Sequence, residues 1–304
     1  MILEVILFLA GIALLIKGAD LFVGGGSGLA ARFGVSPAII GFTVIAFGTS
    51  LPEFVVSVNA IIANDTGIAL GNVLGSNIAN IALVLALCAF IRPALVSGGM
   101  ANLRETALML AATGIFCLCA LRGVLDLPAG LVMLAAFAVI LFVMTRGGGA
   151  IADGVIRSHG RRDILLTIGG LAAVVIGSQL VIDGAVAIAG FFQIPTLVIG
   201  LSIVAVGTSL PELATSLVAI MKGEDGISVG NLLGSNIFNL LFVMGVGALI
   251  RPVPVANLTD TLIVVAFSVA VIPLFLGSDR WTRLWAVGLM AAYAAYIAFI
   301  FGMI

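Results

Sequence analysis

The sequence predicts an all-α polytopic membrane protein of ten transmembrane helices, arranged as two inverted five-helix repeats. Three observations lead there. The 304-residue chain is 62% hydrophobic and 9% charged, with a mean hydropathy of +1.34, whereas a soluble domain carries about 25% charged residues. Its apolar runs are long enough for helices to cross a bilayer, which takes about 20 residues, and too continuous for barrel strands. The second half of the chain also repeats the first.

Only helices and closed barrels satisfy every backbone group inside lipid. Breaks at polar and Gly/Pro clusters divide the chain into spans at 2–24, 37–63, 68–91, 104–121, 126–145, 163–186, 195–221, 227–250, 258–276 and 283–302. The apolar start lacks the basic region and cleavage site of a removed signal and reads as the first span. The stretch 146–162, rich in Arg and Gly, divides the chain into a first repeat at 1–145 and a second at 163–304. Placing that linker in the cytoplasm puts Arg32, Arg92, Arg104, Lys222, Arg280 and Arg283 on the same side and leaves Arg122 and Arg251 opposite. The positive-inside rule then predicts a multi-pass protein of the cell membrane with both termini extracellular. Cys88, Cys117 and Cys119 lie in apolar runs and read as packing residues.

At a constant offset of 159 residues, Gly41–Pro93 aligns without a gap on Gly200–Pro252, and about half the positions are identical. The strongest blocks are AFGTSLPE (Ala46–Glu53) against AVGTSLPE (Ala205–Glu212), and GNVLGSNIAN (Gly71–Asn80) against GNLLGSNIFN (Gly230–Asn239). Five spans per copy make the repeats enter the membrane from opposite faces, the plan of many secondary transporters.

The blocks carry chemistry. Glu53 and Glu212 fall within spans two and seven, where a bare charge costs on the order of 3 kcal/mol. No buried Arg or Lys is evident as a partner, and Lys17 can snorkel to an interface. Two carboxylates without a resident counter-charge suit a mobile cation. Thr49, Ser50, Thr208 and Ser209 precede them at helical spacing. Pro52 and Pro211 are expected to free carbonyls near Gly48 and Gly207. Asn72, Ser76 and Asn80, and likewise Asn231, Ser235 and Asn239, line one helical face of spans three and eight. Hydroxyls, amides, carbonyls and carboxylates are hard oxygen ligands, suited to Na⁺, Ca²⁺ or Mg²⁺ and poor for Zn²⁺.

At GTSLPE and GNxxGSNxxN the sequence resembles the calcium/cation antiporter superfamily, in its prokaryotic sodium/calcium exchanger branch, over the whole chain. The resemblance implies exchange of Ca²⁺ for Na⁺ across the cell membrane by alternating access, with no enzyme activity and no cofactor. It implies ion ligands at Ala46 (through its carbonyl), Thr49, Ser50, Glu53, Ser76 and Asn80, and at Ala205, Thr208, Ser209, Glu212, Ser235 and Asn239. The expected partners are these ions and the lipid bilayer, with no nucleic acid or protein partner. Asn at 239 argues against K⁺ co-transport. A Ca²⁺/H⁺ antiporter on the same scaffold is the first alternative, and an intramembrane carboxylate enzyme a remote one. The short linker leaves no room for the calcium-sensing region that animal exchangers insert there.

Overall fold

A computed structural model describes residues 2–95, 100–146, 159–193, 207–256 and 258–300. Among these, eight helices are long and apolar enough to cross a membrane, or nine when a bent pair is taken as one span. They are α1 (Ile2–Phe33), the span Thr66–Ile91, α7 (Met100–Ala120), α8 (Leu127–Arg146), α9 (Arg161–Phe191), the spans Asp225–Ile250 and Thr259–Leu276, and α15 (Asp279–Ile300). Thr66–Ile91 comprises α5 (Thr66–Ala79), a π-helical turn and α6 (Ala86–Ile91). Asp225–Ile250 comprises α11 (Asp225–Ile237), a π-helical turn and α12 (Met244–Ile250). Thr259–Leu276 comprises α13 (Thr259–Val269) and α14 (Ile272–Leu276), which has Pro273 in its first turn. The bent pair joins Pro37–Thr49 to α4 (Leu51–Ile62) at 45°. It begins with α2 (Pro37–Ile40) and ends with α3 (Ala46–Thr49). Of the seventh expected span, 195–221, residues 195–206 lie outside the described residues, as does most of the 146–162 linker; α10 (Leu210–Lys222) is the described part of that span. The one departure from all-helical structure among the described residues is a two-residue antiparallel bridge, Val124–Leu125 against Val253–Pro254.

The chain forms two compact units. The first holds residues 1–52 and 150–231, the second 53–149 and 232–304. Each takes segments from both sequence repeats.

In the first unit, α1 and α9 run antiparallel along a seam of glycines spaced by seven. Gly11, Gly18 and Gly25 of α1 meet Gly177, Val174 and Thr167 of α9, and Gly170, Gly177 and Gly184 of α9 meet Phe22, Leu15 and Phe8 of α1. A Cβ on Gly18 would stand 2.7 Å from the Val174 backbone nitrogen, and one on Gly177 would stand 2.6 Å from that of Leu15. Lipid offers no hydrophobic drive to pair helices, so backbone-to-backbone approach supplies the dispersion contact instead. The first spans of the two repeats are thereby fastened to one another along nearly their full length. Phe22, Val23, Ile40, Ile45, Ala219 and Ile227 form the apolar core beside this seam. Gly18→Val is expected to destabilise the protein by about 1–3 kcal/mol, the usual cost of overpacking. A lowered unfolding temperature in detergent checks it, and an unchanged one would refute the seam.

Lys17 and Lys222 both pair with Asp20, at 2.7 Å and 2.6 Å, and the Lys222 ammonium also donates to the Asp20 carbonyl at 2.7 Å. Lys17 is therefore engaged along its own helix, and Asp20 ties α1 to the C-terminal end of α10.

In the second unit Phe238 and Phe242 stack 4.8 Å apart, Phe137 packs against both, and Phe54 packs against Phe242. Gly130 of α8 approaches the Gly245 carbonyl so closely that a Cβ would lie 2.9 Å from it. Asp126 accepts from the Ala129 N–H at the start of α8 and from both terminal nitrogens of Arg122. Arg251 donates to the Asn64 side chain.

Candidate functional site

The two GTSLPE segments fold alike, and not as kinked continuous helices. At Ser50 the backbone leaves the helix (φ −86°, ψ 7°), and α4 restarts at Leu51. At Ser209 the angles are φ −87°, ψ 5°, and α10 restarts at Leu210. Pro52 and Pro211 are thus second residues of new helices, where a missing N–H costs nothing, instead of kinks inside old ones. Glu53 and Glu212 fall in the first turns of those helices. The aligned peptide dipoles there favour negative charge, and a broken membrane helix is tolerated where it lines a binding cavity. This corrects the picture of a bare carboxylate in mid-span. It also means that Thr49 and Ser50 reach the site through the break, and not by sharing a continuous helical face with Glu53. Both glutamates are 0% exposed.

In the first unit, Ser50 donates its hydroxyl to Glu212 Oε1 at 2.9 Å, so a residue of the first repeat hydrogen-bonds the carboxylate of the second. Thr49 donates to Asn231 Oδ1 at 3.0 Å, and Asn231 Nδ2 donates to Ser216 at 3.0 Å. The Ala46 carbonyl accepts from the Ser50 N–H at 3.1 Å and from the Thr49 hydroxyl at 3.4 Å. The Gly207 carbonyl accepts from Ser178 of α9 at 3.3 Å, so this expected free carbonyl is taken up by a neighbouring hydroxyl. Gly48 is held between Phe22 and Leu171. Thr208 and Ser209 are buried, and the Ser209 hydroxyl has no hydrogen-bond partner. Ala205 lies outside the described residues.

In the second unit, Asn72 Nδ2 donates to the Glu53 carbonyl at 3.2 Å and to Ser57 at 2.9 Å, fixing the start of α4 against α5. Ser76, Asn80, Ser235 and Asn239 are all buried. Each of the helices carrying them widens into a π-helical turn, at Asn80–Leu85 and at Phe238–Val243. Such turns concentrate at functional sites and leave the i→i+4 ladder locally unmade. Asn80 donates to Asn236 Oδ1 at 3.1 Å, while Asn80 Oδ1 and both polar atoms of the Asn239 side chain are buried without a partner. Buried polar atoms left unpaired in this way cost stability; of these, the Asn80 and Asn239 amide oxygens are acceptors that a bound cation would satisfy, whereas the Asn239 NH₂ is not.

Among the described residues no three His, Cys, Asp or Glu side chains cluster to hold a metal. Each unit offers one buried glutamate with hydroxyl and amide oxygens beside it, donors of the type that hard cations take. The sequence singles out Asn72 and Asn231 as polar neighbours, and the structure makes both of them anchors of the helix breaks. It leaves Asn77 and Asn236 aside because they fall one residue off the four-residue spacing. Their signal is the identity of both repeats at that position.

The chain matches the model of the family described as sodium/calcium exchanger protein at residues 3–146 and 163–302. It is 40% identical to the putative antiporter CaxA of Alkalimonas amylolytica, covering 83% of this chain and 82% of that one. It is 31% identical to the sodium/calcium exchanger MaX1 of Methanosarcina acetivorans, covering 97% and 98%. A structure of the sodium-calcium exchanger NCX_Mj soaked with Na⁺ and Ca²⁺ superposes with a TM-score of 0.87 at 33% identity, covering 98% of each chain.

Proposed function

Because the chain belongs to the sodium/calcium exchanger family of membrane antiporters, we propose that it exchanges Ca²⁺ for Na⁺ across the cell membrane by alternating access, with the central loop cytoplasmic and both termini outside. The observation that carries this reading is the pair of matching helix breaks, each with a buried glutamate in the first turn after it and hydroxyls at the break itself. Glu53 and Glu212 together supply two negative charges, which balance one divalent ion. The remaining ligands of a six- to eight-oxygen shell would come from Thr49, Ser50, Thr208 and Ser209, from Ser76, Ser235, Asn80 and Asn239, and from the carbonyls of Ala46 and Ala205.

Na⁺ would use the same carboxylates with hydroxyls and carbonyls. Two charges cannot comfortably hold Ca²⁺ and several Na⁺ together at low dielectric, so the ions compete. Ser50 donates its hydroxyl proton to Glu212, which leaves its oxygen lone pairs to turn toward an ion held by that carboxylate. A Ca²⁺/H⁺ antiporter on the same scaffold would use the same oxygens for Ca²⁺, so the driving ion separates the two readings.

The test is Ca²⁺ uptake into proteoliposomes driven by an outward Na⁺ gradient, with a protonophore present. Uptake that persists with the protonophore and vanishes without the Na⁺ gradient is expected, as is weaker Ca²⁺ binding when Na⁺ is raised at constant ionic strength. Uptake that follows a pH gradient and ignores Na⁺ would make this a proton antiporter.

For alternation, α1 and α9 are proposed to travel as one body. The glycine seam binds them to each other at backbone distance, and their faces elsewhere are apolar enough to slide. With both carboxylates ionised, an apolar helix passing an empty site meets uncompensated charge at membrane depth, which is costly. A bound cation removes that cost, so exchange follows from electrostatics without a separate lock.

A further inference from the structure

We propose that Asn236 is a positioning residue that sets which atom of Asn80 faces the transported cation. This inference rests on the reading of the chain as a cation exchanger. It follows from the one-way chemistry of a backbone carbonyl. Asn236 Nδ2 lies 3.3 Å from the Asn77 carbonyl oxygen and 3.8 Å from the Met109 sulfur, both of them acceptors. Only the amide nitrogen of Asn236 can satisfy them, so its Oδ1 must turn the other way, toward Asn80. An oxygen there can only accept. Asn80 therefore presents Nδ2, at 3.1 Å, and its own oxygen is directed away from Asn236. That oxygen is buried and has no hydrogen-bond partner.

An asparagine side chain is nearly symmetric in shape, and a half-turn about its last torsion exchanges a cation ligand for a cation-repelling NH₂ group. Among the described residues, the contact that distinguishes the two ends of the Asn80 amide is the one with Asn236. Asn77 completes the arrangement from behind: its amide donates to the Val73 carbonyl at 2.8 Å, so its backbone is held in the helix while its carbonyl accepts from Asn236. All three asparagines are at most 1% exposed, so a lost partner leaves a buried polar atom to be satisfied. Positioning partners of metal ligands are commonly worth roughly 10–100-fold in affinity.

The experiment measures Ca²⁺ and Na⁺ binding to the purified protein by cation-dependent thermal stabilisation, and Na⁺-driven Ca²⁺ uptake in proteoliposomes, for four proteins: unchanged, Asn236→Leu, Asn80→Asp, and the double variant. Asn236→Leu is expected to raise the half-saturating cation concentration roughly 10–100-fold, with the maximal rate at saturating cation largely kept. In the Asn80→Asp background, where a carboxylate shows an oxygen in either orientation, the same leucine is expected to cost nothing. An equal loss in both backgrounds would mean that Asn236 merely supports the fold, and no loss in either would remove it from the site; each result overturns the proposal. Asn236→Ala, which adds no bulk, replaces the leucine if that variant does not fold. The unchanged protein separates the two readings. If it binds the cations but shows no Na⁺-driven uptake, the exchange reading fails while the binding comparison still judges Asn236.

Discussion

Glu53→Gln and Glu212→Gln are each expected to abolish Ca²⁺ transport while leaving a folded protein. Each change removes one of the two charges available to a divalent ion. At 4 Å and an effective dielectric of about 20, one unit charge interacts with another by about 4 kcal/mol, and with a divalent ion by about twice that. Since about 1.4 kcal/mol is a tenfold change in affinity, losing one carboxylate takes Ca²⁺ binding out of any useful range. The fold should survive for a separate reason. Both side chains are fully buried, so glutamine lifts the cost of burying a charge at membrane depth. At position 212 the amide oxygen can still accept the Ser50 hydroxyl, now at 2.9 Å. Thermal unfolding should therefore show an ion-free midpoint equal to or above that of the unchanged protein. The stabilisation by Ca²⁺, about 2.7 kcal/mol at a hundred times the dissociation constant, should be lost. Normal Ca²⁺ flux in either variant would show that the carboxylates are structural.

Tying α1 to α10 is expected to stop exchange and spare ion binding. Asp20 and Lys222 join these helices by an ion pair of 2.6 Å, and both side chains are about one-third exposed, within reach of a reagent. With Cys88, Cys117 and Cys119 replaced, cysteines at positions 20 and 222 joined by a short bis-maleimide would fix α1 against the end of the helix that carries Glu212. If α1 and α9 must travel for the site to open to its other face, Ca²⁺ uptake should fall to the level of protein-free vesicles. Ca²⁺-dependent thermal stabilisation should persist, and a cleavable linker should restore transport when cut. Exchange at the uncrosslinked rate would place the moving element elsewhere.

Much of this protein can be read from its residues because a membrane makes a simple demand. Every buried backbone group must be paired within its own segment, so long apolar runs can only be helices, and seven of the expected spans correspond to described helices within about a turn of their expected ends. Two spans run longer: α9 continues to Phe191, and α1 runs on to Phe33, where Gly25 and Gly28 pack their backbone against Thr167 and Asp163. Nothing in hydropathy marks that extension. The bridge between Val124–Leu125 and Val253–Pro254 also escapes a residue-by-residue reading, because its partners are far apart in the chain.

Taken alone, the sequence determined the membrane setting, the repeated blocks and the candidate ligands, because charge in lipid and identity at a fixed offset are properties of residues and their order. The tertiary structure decided how those ligands are presented. It turned Pro52 and Pro211 from kinks into helix starts, because a break at Ser50 and Ser209 lets each glutamate sit at the positive end of a new helix. It gave Thr49 its acceptor in Asn231 and Asn80 its orientation through Asn236. Those assignments depend on which donor meets which acceptor across helices more than 150 residues apart in the chain, and the direction of a hydrogen bond is fixed only when both partners are in place.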